Sequence, residues 1–159
     1  MISVISARGI GKTYGIGEAA TRALKDIHLD IAAGEMLSIM GPSGCGKTTL
    51  LQILSGIELA DGGELLFDGR ELHRMNDRQL SELRLMEMGF VFQSYHLVPV
   101  LTAAENVELP LIAREVPRKA AKRRALEALD QVGLADRANR RPAELSGGQN
   151  QRVALARAI

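Results

Sequence analysis

The chain has 159 residues, 46% of them hydrophobic and 25% charged, with a formal net charge of +1, which suits one globular domain or a piece of a larger protein. This charge gives no reason to favour nucleic acid as a partner, and a single cysteine, Cys45, excludes an internal disulfide. Without an apolar run near the ~18 residues of a membrane span, or the layout of a signal peptide, we expect a cytoplasmic protein that reaches a membrane only through a partner.

The first 32 residues predict two strands around a glycine-rich segment. Residues 3–7 are predicted to form a short edge strand, and residues 24–31 a strand with one solvated face, because apolar and polar residues alternate there. Tyr14 lies between the two strands, among glycines. Its ring could stack on a nucleotide base. The alternative is a turn tyrosine that lies on its own sheet.

Residues 36–49, MLSIMGPSGCGKTT, predict an apolar strand, a glycine-rich loop and a helix that begins at Lys47. The glycines let successive backbone N–H groups point at a polyphosphate, and the helix dipole adds positive charge there. Lys47 is placed to reach the β- and γ-phosphates, and the Thr48 hydroxyl to bind Mg²⁺. A chance match is the alternative. The predicted phosphate-binding residues are Gly41, Pro42, Ser43, Gly44, Cys45, Gly46, Lys47, Thr48 and Thr49.

The segment after this helix predicts a hairpin. The helix is expected to end at Gly56, and residues 64–69 to form a strand that closes on an Asp-Gly turn. An apolar run that ends in Asp68 also invites comparison with the Mg²⁺-organising acid of P-loop enzymes. Its position on a hairpin favours the turn instead.

The next elements are a helix and a buried strand. Asn76 or Asp77 is predicted to cap a helix that runs to about Met86. Residues 89–92 are predicted to form a compact buried strand that ends at Gln93.

A mainly helical part follows. A capping box at residues 102–105 predicts a helix that Pro110 limits, and Pro117 opens a long helix that Gly133 stops. The basic residues within 118–124 could bind an acidic partner. At helical spacing they are more typical of a solvated face.

Residues 145–157, LSGGQNQRVALAR, predict a second anion site. Ser146 is a good N-cap, Gly147 and Gly148 leave the backbone bare, and a helix follows from Gln149. The glycine-rich loop at residues 41–49 has the P-loop pattern G-x-x-x-x-G-K-[ST] and gives one chain room for one polyphosphate. A second such helix end therefore implies a nucleotide shared between two chains in a head-to-tail pair.

The P-loop at residues 41–49 and the sequence LSGGQ at residues 145–149 together resemble the ATP-binding-cassette (ABC) ATPases. The resemblance covers essentially the whole chain. Residues 89–111 are most similar to the branch that serves lipoprotein release and macrolide export with FtsX-like permeases.

The resemblance implies a role for each matching residue, with ATP and Mg²⁺ as ligands. Tyr14 would stack on adenine, and Ser146, Gly147, Gly148 and Gln149 would bind the ATP of the partner subunit. Gln93 would be the glutamine of the Q-loop, which contacts the metal or attacking water and senses the membrane partner. Lys47 and Gln93 are thus the implied catalytic residues, and Thr48 and Gln93 the implied metal ligands.

The implied fold class is α/β. A P-loop NTPase core carries an N-terminal antiparallel β subdomain and a helical subdomain, and the C-terminal part of the core sheet is missing. Within a partial ABC ATPase domain over residues 1–159, the β and P-loop core takes about 1–74 and 89–93. The helical subdomain takes about 75–88 and 94–159. It includes the helix that follows LSGGQ at residues 145–149, which is the signature sequence of the family.

The family places three further catalytic elements after the signature: an Asp associated with Mg²⁺, the adjacent Glu, and a switch-loop His. None has a match before Ile159. We therefore expect a truncated chain of a longer ATPase, and no ATP turnover by these 159 residues alone.

The resemblance implies the ATP-binding subunit of an ABC transporter at the cytoplasmic face of the inner (plasma) membrane. Its expected partners are membrane permease subunits and a second ATP-binding subunit, as a homodimer, and not nucleic acid. The alternatives are a non-transport ABC ATPase that acts on DNA or ribosomes, or a fragment that binds ATP without hydrolysing it. A P-loop kinase gives no reason for residues 145–149. The cargo is recognised by the membrane subunits, so this sequence does not identify it.

Overall fold

The computed structural model describes residues 3–159, which form two compact units, one up to Glu82 and the other from Leu83 to Ile159. The domain boundaries expected from the sequence stay a prediction. The strands are β1 (Ser3–Tyr14), β2 (Thr21–Ala32), β3 (Gly62–Phe67) and β4 (Arg70–Glu71). The α-helices are α1 (Lys47–Leu54), α2 (Asp77–Glu87), α3 (Ala103–Ala113), α4 (Arg118–Gln131) and α5 (Gly147–Ala158). Single 3₁₀ turns occupy Gly17–Ala19, Leu72–Arg74, Ala135–Arg137 and Pro142–Glu144.

The first unit contains one antiparallel sheet with the strand order β2-β1-β3-β4. The prediction of a short edge strand at residues 3–7 was wrong, because β1 runs to Tyr14 and pairs with both β2 and β3. The register of β1 against β2 shifts between Ala7 and Ile10, where Gly9 has a φ of 63°. The glycine thus forms a bulge within the strand instead of ending it.

The hairpin of β3 and β4 confirms the predicted Asp-Gly turn. Asp68 and Gly69 both have positive φ values, 47° and 73°, as a two-residue hairpin turn requires. Asp68 therefore has a local structural role.

Two predicted strands are not formed. Residues 36–40 and 89–92 are both described by the structure, and neither belongs to the sheet. A strand exists only through hydrogen bonds to a neighbouring strand, which an apolar sequence cannot supply by itself. The side chains of Met36 and Met40 are accordingly 99% and 86% exposed.

The second unit packs α3, α4 and α5 around a small apolar core. Its buried members are Ala103, Ala104, Val107, Ala125, Leu129, Leu134, Ala138, Leu145, Val153 and Ala156. Thr102 caps α3 through the predicted capping box with Glu105. The prediction that Pro110 limits this helix was wrong, since α3 continues to Ala113. Burial of the helix face offsets the cost of the proline, ~3 kcal/mol in a helix interior.

The long helix α4 and its exposed basic residues agree with the prediction from the sequence. Pro117 is the N-cap of α4, and Gly133, with a φ of 69°, lies just beyond its end. The basic residues within 118–124 are exposed to solvent. Within residues 3–159, no helix is both long and apolar enough to cross a membrane.

Candidate functional site

The N-terminus of α1 is formed by glycine and is open. Gly46 is the N-cap, with a φ of 90° and no capping side chain, and Lys47 is the first helical residue. The first N–H groups of any α-helix lack acceptors within the helix. With no side chain to satisfy them, these groups and the helix dipole can receive an anion.

Close packing restricts the glycine positions of this loop. A Cβ at Gly46 would lie 2.5 Å from the carbonyl oxygen of Ala23 on β2, and one at Gly41 would lie 2.8 Å from Sγ of Cys45. Any side chain at Gly46 would thus displace the loop from the sheet. Gly46 is therefore required by geometry, whereas the contact at Gly41 is with the end of a side chain that can move.

The ammonium group of Lys47 lies over its own loop. Nζ donates hydrogen bonds to the carbonyl oxygens of Gly41, at 2.8 Å, and Pro42, at 2.6 Å, and it lies 3.5 Å from Sγ of Cys45. The side chain of Thr48, in the first turn, is exposed. A cation, open N–H groups and a hydroxyl fit a polyphosphate with its Mg²⁺.

Tyr14 lies next to this helix. Its hydroxyl donates a hydrogen bond of 2.6 Å to Oε2 of Glu58 and lies 3.5 Å from Oγ1 of Thr49 in α1. The residue is 40% exposed, so part of its ring faces solvent. The structure therefore places Tyr14 beside the first turn of α1, and its role in stacking on a base stays a prediction.

No pattern in the sequence connects Glu58 with Tyr14. The two residues are 44 positions apart. No motif includes Glu58, which follows α1 in an irregular segment. Only the fold of the chain brings this carboxylate to the hydroxyl.

The N-terminus of α5 carries its own cap. Oγ of Ser146 accepts a hydrogen bond from the N–H of Gln149 at 3.3 Å, and Oε1 of Gln149 accepts one from the N–H of Ser146 at 2.8 Å. The helix begins at Gly147, two residues earlier than predicted. Gly147 and Gly148 are exposed, and a Cβ at Gly148 would meet nothing within 4 Å. The backbone of the two glycines at this helix end is therefore exposed to solvent.

The residues after Gln93 have an uncommon backbone conformation. Gln93 is exposed, and Tyr95 and His96 have positive φ values of 60° and 47°. Arg157 near the end of α5 donates hydrogen bonds to the carbonyl oxygens of Tyr95, at 2.7 Å, and His96, at 2.6 Å. Partial burial lowers the pKa of Arg157 from its ordinary value. This arginine holds the loop, and no motif in the sequence predicts that contact.

Asn106 is fully buried and organises the next part of the same loop. Its side-chain amide donates to the carbonyl oxygens of Val98, Leu101 and Thr102, and its Oδ1 accepts the N–H of Val98 at 2.7 Å. Loop residues 93–101 are thus held at both ends by helical side chains.

The predicted site residues fall into two groups. Tyr14 and residues 41–49 belong to the first unit, and Gln93 and residues 146–149 to the second. The ligand-binding roles of both groups stay predictions.

The family described as ABC transporter matches residues 24–159. The lipoprotein-releasing system ATP-binding protein LolD of Bacteroides fragilis is 47% identical over 156 residues, which are 98% of this chain and 70% of that protein. A macrolide export ATP-binding/permease protein, MacB 1/2 of Paracoccus denitrificans, is 46% identical over 156 residues, 98% of this chain and 23% of the relative. The expected resemblance to these two groups of proteins is therefore confirmed.

A solved structure is also similar. It is a dimeric post-hydrolysis state of the ATP-binding cassette MJ0796 bound to ADP and Pi, with a TM-score of 0.89 and 43% sequence identity. The match covers 98% of this chain and 68% of that one. It confirms the predicted fold class, a partial α/β core in which an antiparallel sheet is combined with helices.

Proposed function

We propose that this chain, which belongs to the ABC transporter family, binds Mg·ATP as part of an ATP-binding subunit whose full-length dimer couples ATP hydrolysis to transport or extraction of a substrate by a membrane permease. One observation carries the proposal. The helix α1 begins at Lys47 without a side-chain cap, and the ammonium of this lysine lies over the preceding loop. This arrangement offers a cation and open N–H donors to a polyphosphate.

Each nucleotide-binding residue has a proposed part. The N–H groups of residues 41–49 and Nζ of Lys47 would hold the phosphates, and Thr48 with Gln93 would bind Mg²⁺. The face of Tyr14 would stack on the base. Mg²⁺ would neutralise charge on the phosphates. Lys47 would hold the γ-phosphate, and Gln93 would orient the attacking water.

A second subunit would complete the site. Ser146, the two glycines after it and Gln149 form an exposed helix end suited to an anion. We propose that this end binds the ATP held by the P-loop of a second copy. The MJ0796 structure is dimeric, which supports pairing in this family.

Nucleotide binding tests the proposal directly. Titration calorimetry of Mg·ATP should show about 10- to 100-fold weaker binding by Lys47→Ala, because charge-assisted hydrogen bonds to phosphate are lost. Lys119→Ala is the matched control, since Lys119 is an exposed lysine on α4. Equal affinity of the two variants would refute the P-loop assignment.

The permease contact has its own test. We propose that residues 93–96 face a cytoplasmic segment of a membrane permease at the cytoplasmic face of the plasma membrane. The similarity to MacB 1/2, named as a macrolide export ATP-binding/permease protein, supports such a pairing. A photo-cross-linker placed at Tyr95 should attach to a co-purifying permease, and one placed at exposed Glu127 on α4 should not. A complex that purifies without a product from position 95 would contradict the assignment.

Hydrolysis by the 159 residues alone is a separate matter. The family resemblance assigns the water-polarising acid to a position after the signature, so we propose that residues 1–159 bind ATP without turning it over. A phosphate-release assay of this polypeptide, beside its Lys47→Ala variant, checks this. Release that Lys47→Ala abolishes would show that the acid lies within residues 1–159.

A further inference from the structure

The carboxylate of Glu58 contacts two side chains of β1, those of Lys12 and Tyr14. Its Oε2 accepts the hydrogen bond from the Tyr14 hydroxyl at 2.6 Å, and its Oε1 lies 3.1 Å from Nζ of Lys12. Lys12 and Tyr14 lie on the same strand, two residues apart, and Nζ of Lys12 is 5.6 Å from the centre of the tyrosine ring. The carboxylate therefore contacts the hydroxyl of the ring and the lysine that borders the ring.

Lys12 fixes the segment that carries Glu58. Besides Glu58, its ammonium contacts Oδ1 of Asp61 at 3.2 Å and donates to the carbonyl oxygen of Leu59 at 2.8 Å. Oδ2 of Asp61 in turn accepts the N–H of Thr13 at 2.7 Å. Only 14% of the Lys12 side chain is exposed. The loop after α1 is thus attached to β1 by several independent bonds.

These bonds also favour the ionised form of Glu58. Its pKa is lowered, chiefly because the carboxylate accepts the hydrogen bond from Tyr14 and secondarily because of Lys12. The carboxylate therefore persists to a lower pH than that of a free glutamate. It acts as a constant acceptor for the hydroxyl at neutral pH.

The hydroxyl of Tyr14 is therefore hydrogen-bonded to Glu58, while part of the residue stays exposed to solvent. A surface tyrosine normally moves among rotamers, and ordering it on binding costs free energy. Here the hydroxyl is bound while the residue remains 40% exposed. The bond restrains rotation about the side chain, and because Nζ of Lys12 lies over one face of the ring, the opposite face is the one left for a base.

We propose that Glu58 is a positioning residue, which holds the ring of Tyr14 in the orientation that stacks on a purine base. The inference rests on the proposed function, because it requires a nucleotide at the P-loop. It assigns no contact between Glu58 and the ligand. Since the hydroxyl is occupied, the ring offers only its face, and adenine and guanine should be bound with similar affinity.

Three ligands separate positioning of the base from support of the loop. Titration calorimetry would compare Mg·ATP, Mg·GTP and Mg·tripolyphosphate, which lacks a base. Glu58→Ala should weaken both nucleotides by roughly 2- to 10-fold, the cost of ordering one freed side chain, and leave tripolyphosphate unchanged. Tyr14→Phe, which keeps the ring but loses the bond, should have the same effect.

Two further variants test the connection between the residues. The double variant Glu58→Ala with Tyr14→Phe should bind ATP no more weakly than either single variant, because both remove one bond. Glu58→Gln keeps an acceptor and should restore most of the affinity. Glu127→Ala, at an exposed glutamate of α4, is the matched control.

The outcomes are distinguishable. Loss of tripolyphosphate affinity in Glu58→Ala equal to the loss for ATP would mean that Glu58 only supports the loop, and the proposal would be overturned. Unchanged ATP affinity in Glu58→Ala, or full additivity in the double variant, would also overturn it. Binding of neither ATP nor tripolyphosphate by the unmodified chain would instead remove the proposed function, and this inference with it.

Discussion

The helices α1 and α5 begin in opposite ways, although the sequence predicts an anion site at each. Gly46 gives α1 no side-chain cap, whereas Ser146 and Gln149 satisfy each other's backbone N–H groups at the start of α5. The N-cap of α1 also has a left-handed backbone, with a φ of 90° at Gly46, which glycine adopts readily. The N-cap of α5 has ordinary extended dihedral angles.

This difference separates two kinds of binding site. The start of α1 has N–H donors without a capping side chain and a lysine beside them. An anion bound there would supply the acceptors that the protein does not provide. The start of α5 is capped by its own side chains and carries two exposed glycines, so its stability needs no ligand. Its proposed ligand is the nucleotide held by another subunit. The first site should therefore depend on its ligand for stability, and the second should not.

The largest expected effect is at the start of α1. Gly46→Ala should reduce the free energy of unfolding by about 2–4 kcal/mol, because alanine combines a left-handed backbone with a close contact to the Ala23 carbonyl. Urea denaturation measures the loss. Gly148→Ala is the matched control at α5, where a Cβ meets nothing within 4 Å. Equal destabilisation by both variants would contradict the proposed difference between the helix ends.

A smaller loss is expected at the other end of α5. Arg157→Ala should cost about 2 kcal/mol of stability, because two hydrogen bonds from a charged donor are lost. It should also release Tyr95 and His96 from their left-handed conformation. Hydrogen exchange should then rise in residues 93–98. Arg152→Ala removes one such bond, to Val132, and should leave that loop unchanged.

Loss of the side-chain cap of α5 should reduce stability less than loss of Arg157. Ser146→Ala should destabilise the chain by about 1 kcal/mol, as is usual for loss of a serine N-cap. Thermal unfolding measures this effect without nucleotide. The affinity of the P-loop for ATP in the isolated subunit should remain unchanged, because Ser146 would serve the partner's nucleotide. Weaker ATP binding by a monomer of this variant would argue against a shared site.

The smallest effect concerns Cys45, which is exposed in the loop before α1. Its thiol lies 3.5 Å from Nζ of Lys47, so a nucleotide bound by that lysine should hinder access to it. We expect saturating Mg·ATP to slow labelling by a thiol reagent several-fold. Tripolyphosphate should protect as well. Labelling at the same rate with and without these ligands would place Cys45 away from the phosphates.

Several local features were predictable because each depends on residues close in sequence. The capping boxes of Thr102 and Ser146, the Asp68–Gly69 turn and the glycine end of α4 all follow from side chains that bond to backbone within a few residues. The phosphate loop was recognisable for the same reason. Its glycines and lysine form one continuous segment.

What the sequence determined by itself was therefore the family and the approximate positions of the helices, while the two anion sites stay predictions. Tertiary structure alone decided that β1 lies inside its sheet and that residues 36–40 find no partner there. It also decided that Glu58 binds Tyr14 and that Arg157 binds Tyr95 and His96. These contacts join residues 44 to 62 positions apart. Strand pairing and such long-range bonds depend on where the whole chain places each partner, and no local pattern of residues records that position.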